Sequence, residues 1–176
     1  MKHLIFFIVL ISNLSYAQQW HTKEGKAIPD SDAQKSGKSF GAQLVLTNKD
    51  KALYTAWNIP SEGVFIDTSS TVKRNEAISA FIVFGGCKES SNGNCRLVVE
   101  FTVTQPDGKL YSQTPAMEVW YEKKKPNQKA LELSVDYLKI VFEKGEQAGK
   151  YQIIAKVSDL NSSESLSLKS WFVAKE

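Results

Sequence analysis

The stretch RLVVEFTVT, residues 96–104, alternates between two kinds of side chain. Its odd-numbered positions, Leu97, Val99, Phe101 and Val103, are all apolar, while four of its five even-numbered positions are charged or carry a hydroxyl. A period of two places successive side chains on opposite faces of an extended chain. The stretch therefore predicts a β-strand whose odd-numbered face is buried and whose even-numbered face meets solvent.

Further runs of this kind occur along the chain, separated by turn-forming residues such as Asn48-Lys49-Asp50 and Pro106-Asp107-Gly108. The predicted strands are residues 40–47, 53–59, 77–84, 96–104, 110–111, 116–121, 151–157 and 166–173. Residues 131–142 change phase from odd to even apolar positions, which predicts a bulge or two short strands that meet near Asp136. No stretch shows the 3.6-residue apolar stripe of a long helix. The pattern predicts an all-β antiparallel sandwich or barrel.

The strand at residues 77–84, AISAFIVF, is apolar at both odd and even positions. A buried helical segment is the alternative, but the short length, the Ile, Val and Phe content and the following Gly85-Gly86 favour a strand. We therefore expect a central strand that is buried on both faces.

The N-terminus resembles a secretory signal peptide. Lys2 supplies a positive charge, residues 4–11 are apolar, and Ser15 and Ala17 are small residues at the −3 and −1 positions of a cleavage site. The apolar run is far shorter than the roughly 20 residues that span a bilayer, and no second run approaches that length. We expect a cleaved leader at residues 1–17, an extended N-terminal arm at 18–39 and one β-sandwich domain at 40–176. The predicted location is periplasmic or secreted, without a membrane span after cleavage.

Cys87 and Cys95 are the only cysteines, and they lie in the polar segment GGCKESSNGNCR. A zinc site requires about four ligands, and a redox motif of the C-x-x-C kind has two residues between its cysteines. Exported proteins fold where disulfides persist. We therefore expect a Cys87–Cys95 disulfide at the base of a turn that joins strands 77–84 and 96–104 as antiparallel neighbours.

Residues 146–159, EQAGKYQIIAKVSD, contain a glycine, one intervening residue and a tyrosine that opens an alternating strand. This arrangement resembles the tyrosine corner of immunoglobulin-like and fibronectin type III domains. The resemblance covers roughly residues 77–173 and implies an immunoglobulin-like β-sandwich of about seven to nine strands, with Gly149 and Tyr151 forming the corner. The cysteines are too close in sequence for the inter-sheet disulfide of antibody domains, so the antibody subtype is not expected.

Signatures of catalysis and of nucleotide binding are weak. His21 is the one histidine after the leader, and it lies in the unpatterned arm, away from any candidate nucleophile. Gly85-Gly86 lacks the spacing of a phosphate-binding loop. Glu100 and Glu118 could flank a cleft as glycosidase carboxylates do, although outward strand positions explain them equally well. We expect a protein that is not an enzyme and that uses no cofactor.

Metal and nucleic-acid binding are also not expected. Asp30 and Asp32 could contribute to a weak calcium site, but no complete calcium-loop motif surrounds them, and a polar turn is the simpler interpretation. The formal net charge is +3, and the basic residues are dispersed apart from Lys123-Lys124-Lys125. A run of three lysines is typical of a solvated turn.

The aromatic residues are the most informative candidates for binding. Trp57, Trp120, Tyr121 and Trp171 all fall in predicted strands, and neighbouring residues of a strand face opposite sides. One member of Trp120/Tyr121 and one of Trp171/Phe172 should therefore point away from the core. An exposed aromatic row could bind sugar or another protein. Burial under loops or under the arm, where Trp20 and Ile28 could anchor it, is the alternative.

Three functions remain compatible with these patterns. The first is a non-catalytic exported module that binds a protein or a cell-envelope component through strand edges or end loops. The second is carbohydrate binding through exposed aromatics. The third is a hydrolase that depends on carboxylates or a metal. Clustering of Trp120, Tyr121 and Trp171 on one face would favour sugar binding, whereas a pocket containing Asp30, Asp32 and Glu100 would favour the hydrolase.

Overall fold

The computed structural model describes residues 20–22, 24–59, 64–127 and 130–176. The predicted leader lies outside the described residues. Within them, the chain forms eleven strands and one helix. In chain order these are β1 (Gln34–Ser36), β2 (Phe40–Thr47), α1 (Asp50–Trp57), β3 (Thr71–Lys73), β4 (Ala77–Gly86), β5 (Asn94–Thr104), β6 (Leu110–Gln113), β7 (Met117–Lys124), β8 (Glu132–Leu133), β9 (Leu138–Val141), β10 (Gly149–Asp159) and β11 (Glu164–Lys175).

The strands form two sheets. In the first sheet, β1 pairs with β2 and β2 with β4, and both β8 and β9 pair with the other edge of β4. In the second sheet the order is β3-β11-β10-β5, and β6 and β7 follow one another along the far side of β5. Every pair is antiparallel except β3 with β11. The predicted all-β, largely antiparallel sandwich is confirmed, and short strands of two to four residues raise the strand number above the expected range.

The main core lies between the two sheets, and β5 shows how the sequence builds it. Its residues alternate strictly, and Leu97, Val99, Phe101 and Val103 are fully buried as predicted. Ile153 and Ala155 of β10 lie beside them in the same cluster. Because a period of two places every second side chain on one face, the intervening residues of β5 point away from the core.

A second, smaller core covers the outer face of the first sheet. Phe81 and Val83 of β4 point away from the main core and join Trp20, Val45, Leu53 and Leu133 there. The Trp20 indole N–H donates to the Lys35 carbonyl at 3.2 Å, which fixes the arm against the sheet. The expectation that β4 is buried on both faces is confirmed, since seven of its ten residues are buried.

The strand predicted at residues 53–59 is wrong, because this segment lies largely in α1. Leu53 is buried, and Tyr54 and Trp57 pack partly buried against the second core, which is the i, i+1, i+4 spacing of one helical face. The Tyr54 hydroxyl donates to the Val135 carbonyl. An eight-residue helix offers about two turns, too few for its period to differ clearly from a strand pattern.

The predicted disulfide is confirmed, but the predicted pairing of its flanking strands is wrong. Cys87 and Cys95 are bonded, with their Cα atoms 6.1 Å apart. β4 belongs to the first sheet and β5 to the second, so they face each other across the core. The disulfide therefore closes the connection by which the chain passes from one sheet to the other, and both cysteines are buried in the main core.

Other local predictions are confirmed. Residues 131–142 contain the two short strands β8 and β9, on either side of a bend at Val135 and Asp136. Gly108 adopts a φ of 84° in the turn between β5 and β6.

β1 lies inside the predicted arm and pairs with β2, so part of the arm belongs to the first sheet. Among the described helices, none is long and apolar enough to cross a bilayer.

Candidate binding face

The outer face of the second sheet is formed by the side chains of β5, β10 and β11 that point away from the main core. These side chains are partly or fully exposed at every outward position of the three strands. The two buried clusters of the described chain lie elsewhere, one between the sheets and one on the first sheet. The sandwich is therefore asymmetric, with one sheet covered by α1 and the arm and the other sheet open.

Trp171 is the large apolar side chain that stands out on this open face. It is 45% exposed, whereas its neighbour Phe172 is 1% exposed and lies in the main core. This confirms that one member of the Trp171/Phe172 pair points outward. The Lys150 ammonium lies over the Trp171 ring, 4.4 Å from its centroid. The β-sheet register places Gln152 directly beside Trp171 and Thr104 beside Gln152, so an amide and a hydroxyl border the ring.

Lysines surround Trp171 on the same face. Lys169 lies two residues before it on β11, and Lys175 lies four residues after it. Lys175 pairs in register with Lys73 of β3, and the adjoining Ala174 and Val72 are buried, so both lysines point outward. Among the described ion pairs, none involves Lys73, Lys150, Lys169 or Lys175. Farther along the face, Lys156 lies 3.7 Å from Glu100, so charge is balanced there.

The structure does not bring the other candidate aromatics to this place. Tyr121 pairs in register with Arg96, whose guanidinium donates to the Tyr121 hydroxyl at 2.7 Å. Arg96 precedes Thr104 by eight residues, which places Tyr121 about 26 Å from the level of Trp171 along the strands. Tyr121 thus lies at the opposite end of the sheet, in contact with Arg96.

Trp120 and Trp57 each pack against a buried cluster instead of lying on the open face. Trp120 packs against the main core, 5.8 Å from Phe84 between ring centroids, and its indole N–H donates to the Lys124 carbonyl at 2.9 Å. Trp57 lies in α1 rather than in a strand, on the other side of the molecule, packed against the second core. The four aromatics therefore do not form one row.

Gly149 and Tyr151, which were predicted to form a tyrosine corner, lie at the start of β10. The Tyr151 hydroxyl donates to the Gln147 carbonyl at 2.8 Å, and its ring stacks on Phe172 with centroids 5.1 Å apart. Gly149 has a φ of 139°, and a Cβ there would lie 2.9 Å from Pro106 Cγ. A side chain at this position would therefore strain the backbone and collide with the neighbouring loop.

A shallow cavity of about 300 Å³ opens beside this corner, lined by Gln105, Tyr111, Gly145, Glu146, Gln147 and Tyr151. The Tyr111 hydroxyl donates to Glu146 Oε1 at 2.6 Å, and the other Glu146 oxygen accepts from the Glu143 amide. Partial burial, followed by the hydrogen bond to Glu146, raises the pKa of Tyr111 well above its usual value. The Tyr111 hydroxyl thus acts as a donor that holds the loop after β9.

A second polar group, which we call the Asp159 cluster, consists of Ser39, Asp159, Asn161, Ser162 and Glu164 at the opposite end of the sandwich. Asp159 is fully buried and accepts from the Lys88 amide at 2.7 Å, next to the disulfide. Glu164 accepts from the Ser39 hydroxyl and from the amides of Lys38 and Ser39. The cluster joins the β1–β2 turn, the β10–β11 turn and the Cys87 connection.

The electrostatics of Glu164 reflect these contacts. Partial burial raises its pKa, but the hydrogen bonds from Ser39 and from the Lys38 and Ser39 amides lower it by more. The net effect is a pKa below the ordinary value of 4.5. The ionised carboxylate is thus the form that fits these donors.

The carboxylates considered for metal binding and hydrolysis are dispersed. Both oxygens of Asp30 accept from the Ser36 amide, and the Asp32 carbonyl accepts from the Lys169 amide at 2.7 Å. Glu100 contacts Lys156, while Glu118 is exposed on β7. In the part of the chain that the structure describes, no group of three or more His, Cys, Asp or Glu residues is arranged to hold a metal ion.

Comparisons with known proteins do not assign the chain to a family. No family model and no curated protein matches the sequence. Solved structures with similar folds include a family 123 glycoside hydrolase from Clostridium perfringens, with 10% identity and a TM-score of 0.43 over 77% of this chain and 27% of that chain. The present chain thus spans about a quarter of that hydrolase.

Two further similar structures are smaller. Spo0M, a sporulation control protein from Bacillus subtilis, is 8% identical with a TM-score of 0.40 over 78% of this chain and 50% of that one. A Niemann-Pick type C2 protein from Japanese carpenter ant is 12% identical with a TM-score of 0.38 over 76% of this chain and 89% of that one. Similarities of this size carry no functional assignment.

The sequence pattern alone did not predict the lysines and the amide around Trp171. The signal that could have found them is strand parity, because Lys150 and Gln152 share one face of β10, as Lys169 and Trp171 share one face of β11. Parity alone does not show which face is the outer one. That depends on Phe172 and Tyr151 lying in the core.

Proposed function

We propose that this protein is a non-catalytic, exported β-sandwich module that binds a protein or a cell-envelope component through the open face of its second sheet. The observation that carries the proposal is the position of Trp171. This ring is 45% exposed near one end of an uncovered sheet, whereas on the first sheet Trp20 is buried in the second core and Trp57 packs partly buried against it. Exposed tryptophans are enriched where proteins contact their ligands.

The disulfide supports the exported character of the module. Cysteine pairs form and persist in oxidising compartments, and the Cys87–Cys95 bond lies in the buried connection between the sheets. The leader expected at residues 1–17 would direct the chain to such a compartment. The polar clusters at Glu146 and Glu164 satisfy their carboxylates with hydrogen bonds from the protein itself, which supports a structural rather than a catalytic role.

An immunoglobulin-like type of sandwich also forms part of the proposal. Its support is the hydroxyl of Tyr151, near the start of the penultimate strand, which bonds back to the Gln147 carbonyl four residues earlier. A backward hydrogen bond of this kind is a feature of tyrosine corners and supports the proposal.

Capture from an envelope extract tests the proposed function. Immobilised wild-type protein should retain a component that Trp171→Ala fails to retain, because the substitution removes the exposed ring without disturbing the core. Phe65→Ala is the matched control, since Phe65 is 89% exposed and lies outside the second sheet. Circular dichroism and thermal unfolding should show that all three proteins are folded. Equal capture by wild type and Trp171→Ala, or no capture by wild type, would overturn the proposal.

A further inference from the structure

The ligand class of the open face can be inferred from the charges around Trp171. We propose that Trp171, Lys73, Lys150, Lys169 and Lys175, which we call the lysine–tryptophan patch, bind a polyanionic glycan, a sugar chain with regularly repeated carboxylate or sulfate groups. This inference rests on the proposed function and adds the chemistry of the ligand.

The unbalanced charge of the patch is the first argument. Lys73 and Lys175 pair in register on adjacent strands, where two like charges oppose folding. No ion pair joins the four lysines to a carboxylate of the described chain. Two carboxylates near Lys73 and Lys175 are engaged elsewhere, since Glu176 pairs with Arg74 and Glu76 accepts from the Lys73 amide. Asp32 is also close in the chain path, because its carbonyl accepts from the Lys169 amide, but its carboxylate forms none of the described ion pairs. A ligand with several negative charges would supply the missing partners.

The spacing of the patch fits an extended chain. Lys169, Trp171 and Lys175 lie on one face of β11, where every second residue advances about 7 Å. The distance along the strand from Lys169 to Lys175 is therefore about 20 Å. Lys150 and Lys73 lie on the strands to either side of β11. The positive charges thus form an elongated strip rather than a single pocket, as a linear polyanion requires.

The uncharged groups of the patch match the rest of a sugar. The C–H bonds on one face of a pyranose pack against an aromatic ring, and Trp171 is exposed for such contact. Gln152 and Thr104 follow Trp171 across the sheet and offer an amide and a hydroxyl for sugar hydroxyls. Lys150, which lies over the ring, can turn toward a ligand carboxylate because its contact with the ring is a weak surface contact.

A polyanionic glycan fits this surface better than a membrane or a protein. Binding at a membrane surface requires several protruding apolar side chains. Protein–protein interfaces have an apolar centre that is depleted of lysine. Around Trp171, the other apolar outward residues, Ile154 and Val173, are only partly exposed. The face offers one ring, polar side chains and lysines, which is the composition suited to a charged sugar chain.

Direct binding to polygalacturonate and to heparin tests the inference. The wild-type protein should bind at least one of them at low salt, with affinity that falls as salt rises. Lys150→Gln combined with Lys169→Gln, and separately Trp171→Ala, should each raise Kd about tenfold or more. Lys26→Gln combined with Lys51→Gln is the matched control, because it removes two exposed lysines away from the patch and should leave Kd within about twofold of wild type. Fully methyl-esterified polygalacturonate, which has the same backbone without charge, should bind much more weakly.

The remaining outcomes separate this inference from the proposed function. Absence of binding to both polyanions, with Trp171-dependent capture from the envelope extract retained, would overturn the ligand class and leave the proposed function standing. Equal binding to polyglutamate without dependence on Trp171 would show simple charge attraction and overturn the inference. Binding to phosphatidylglycerol vesicles in place of both glycans would show a lipid surface as the ligand and overturn it as well.

Discussion

At the scale of single residues, the Asp159 cluster contains carboxylates that each accept several hydrogen bonds. Glu164 accepts three hydrogen bonds, from one hydroxyl and two backbone amides, and these lower its pKa in the folded protein. A carboxyl whose folded pKa lies below its unfolded value stabilises the fold above the unfolded pKa. That stability is lost as pH falls through the folded pKa.

We therefore predict that the free energy of unfolding declines as the pH falls below about 5 and that Glu164→Gln reduces this decline. At pH 7 the substitution should cost about 1–3 kcal/mol, because donors at the turn lose a charged acceptor. Urea unfolding at a series of pH values measures both effects. Glu118→Gln, which changes an exposed carboxylate of β7, should leave the pH profile unchanged. If the free energy of unfolding declined equally at low pH in Glu164→Gln and in wild type, Glu164 would not be the source of the decline.

Tyr151 gives a second prediction at this scale. Tyr151→Phe keeps the ring that stacks on Phe172 and removes the hydrogen bond to the Gln147 carbonyl. The expected loss is about 0.5–1.5 kcal/mol in the free energy of unfolding, with an unchanged denaturant slope. Binding through the patch should be retained, because the hydroxyl points to the loop before β10. An unchanged free energy of unfolding in Tyr151→Phe would show that packing alone holds this turn.

The candidate site was predictable from the sequence only in part, again for reasons at the residue scale. Alternation showed that Trp171 or Phe172 must point outward, but only the packing of Phe172 into the core decides between them. The lysines of the patch come from β3, β10 and β11, far apart in sequence. Local periodicity carries no information about such neighbours, because it does not specify which strands pair.

At the scale of elements, strands with clear alternation were predicted within a few residues, and the errors have two physical causes. β1, β3 and β8 are two or three residues long, too short to show a period, and α1 makes only about two turns. The pairing of β4 with β5 was wrong because the segment between the cysteines allows either a hairpin or a passage between sheets. Sheets pack about 10 Å apart, which a seven-residue connection easily spans.

The corrected position of the disulfide changes what its removal should do. Cys87→Ala with Cys95→Ala should lower the free energy of unfolding by roughly 2–3 kcal/mol and the melting temperature by about 5–10 °C, because the bond closes a short loop between the two sheets. Alanine is the appropriate replacement, since both cysteines are buried in the main core. Calorimetry with and without reductant measures the change. Free thiols in the purified, non-reduced wild type would contradict the bond itself.

At the scale of the whole molecule, the two sheets differ in whether their outer face is covered. The first sheet is covered by α1, by the arm with Trp20 and by the segment with Val64 and Ile66, so its outer face contributes to stability. The second sheet leaves its outer face open, and there the chain places Trp171 and the unpaired lysines. The sequence indicated a sandwich, but the covering of one face depends on α1, whose residues show a pattern that predicted a strand.

The place of β11 in the second sheet has a consequence for how the protein is made. β11 lies between β3 and β10, and it pairs with a segment about a hundred residues earlier in the chain. A chain that emerges from the ribosome or from a translocation channel cannot complete this sheet until residues 164–175 have appeared. Such distant pairing is also slow to form. The lysine–tryptophan patch therefore forms only after Lys175 has appeared, so a shorter nascent chain cannot capture a ligand through it.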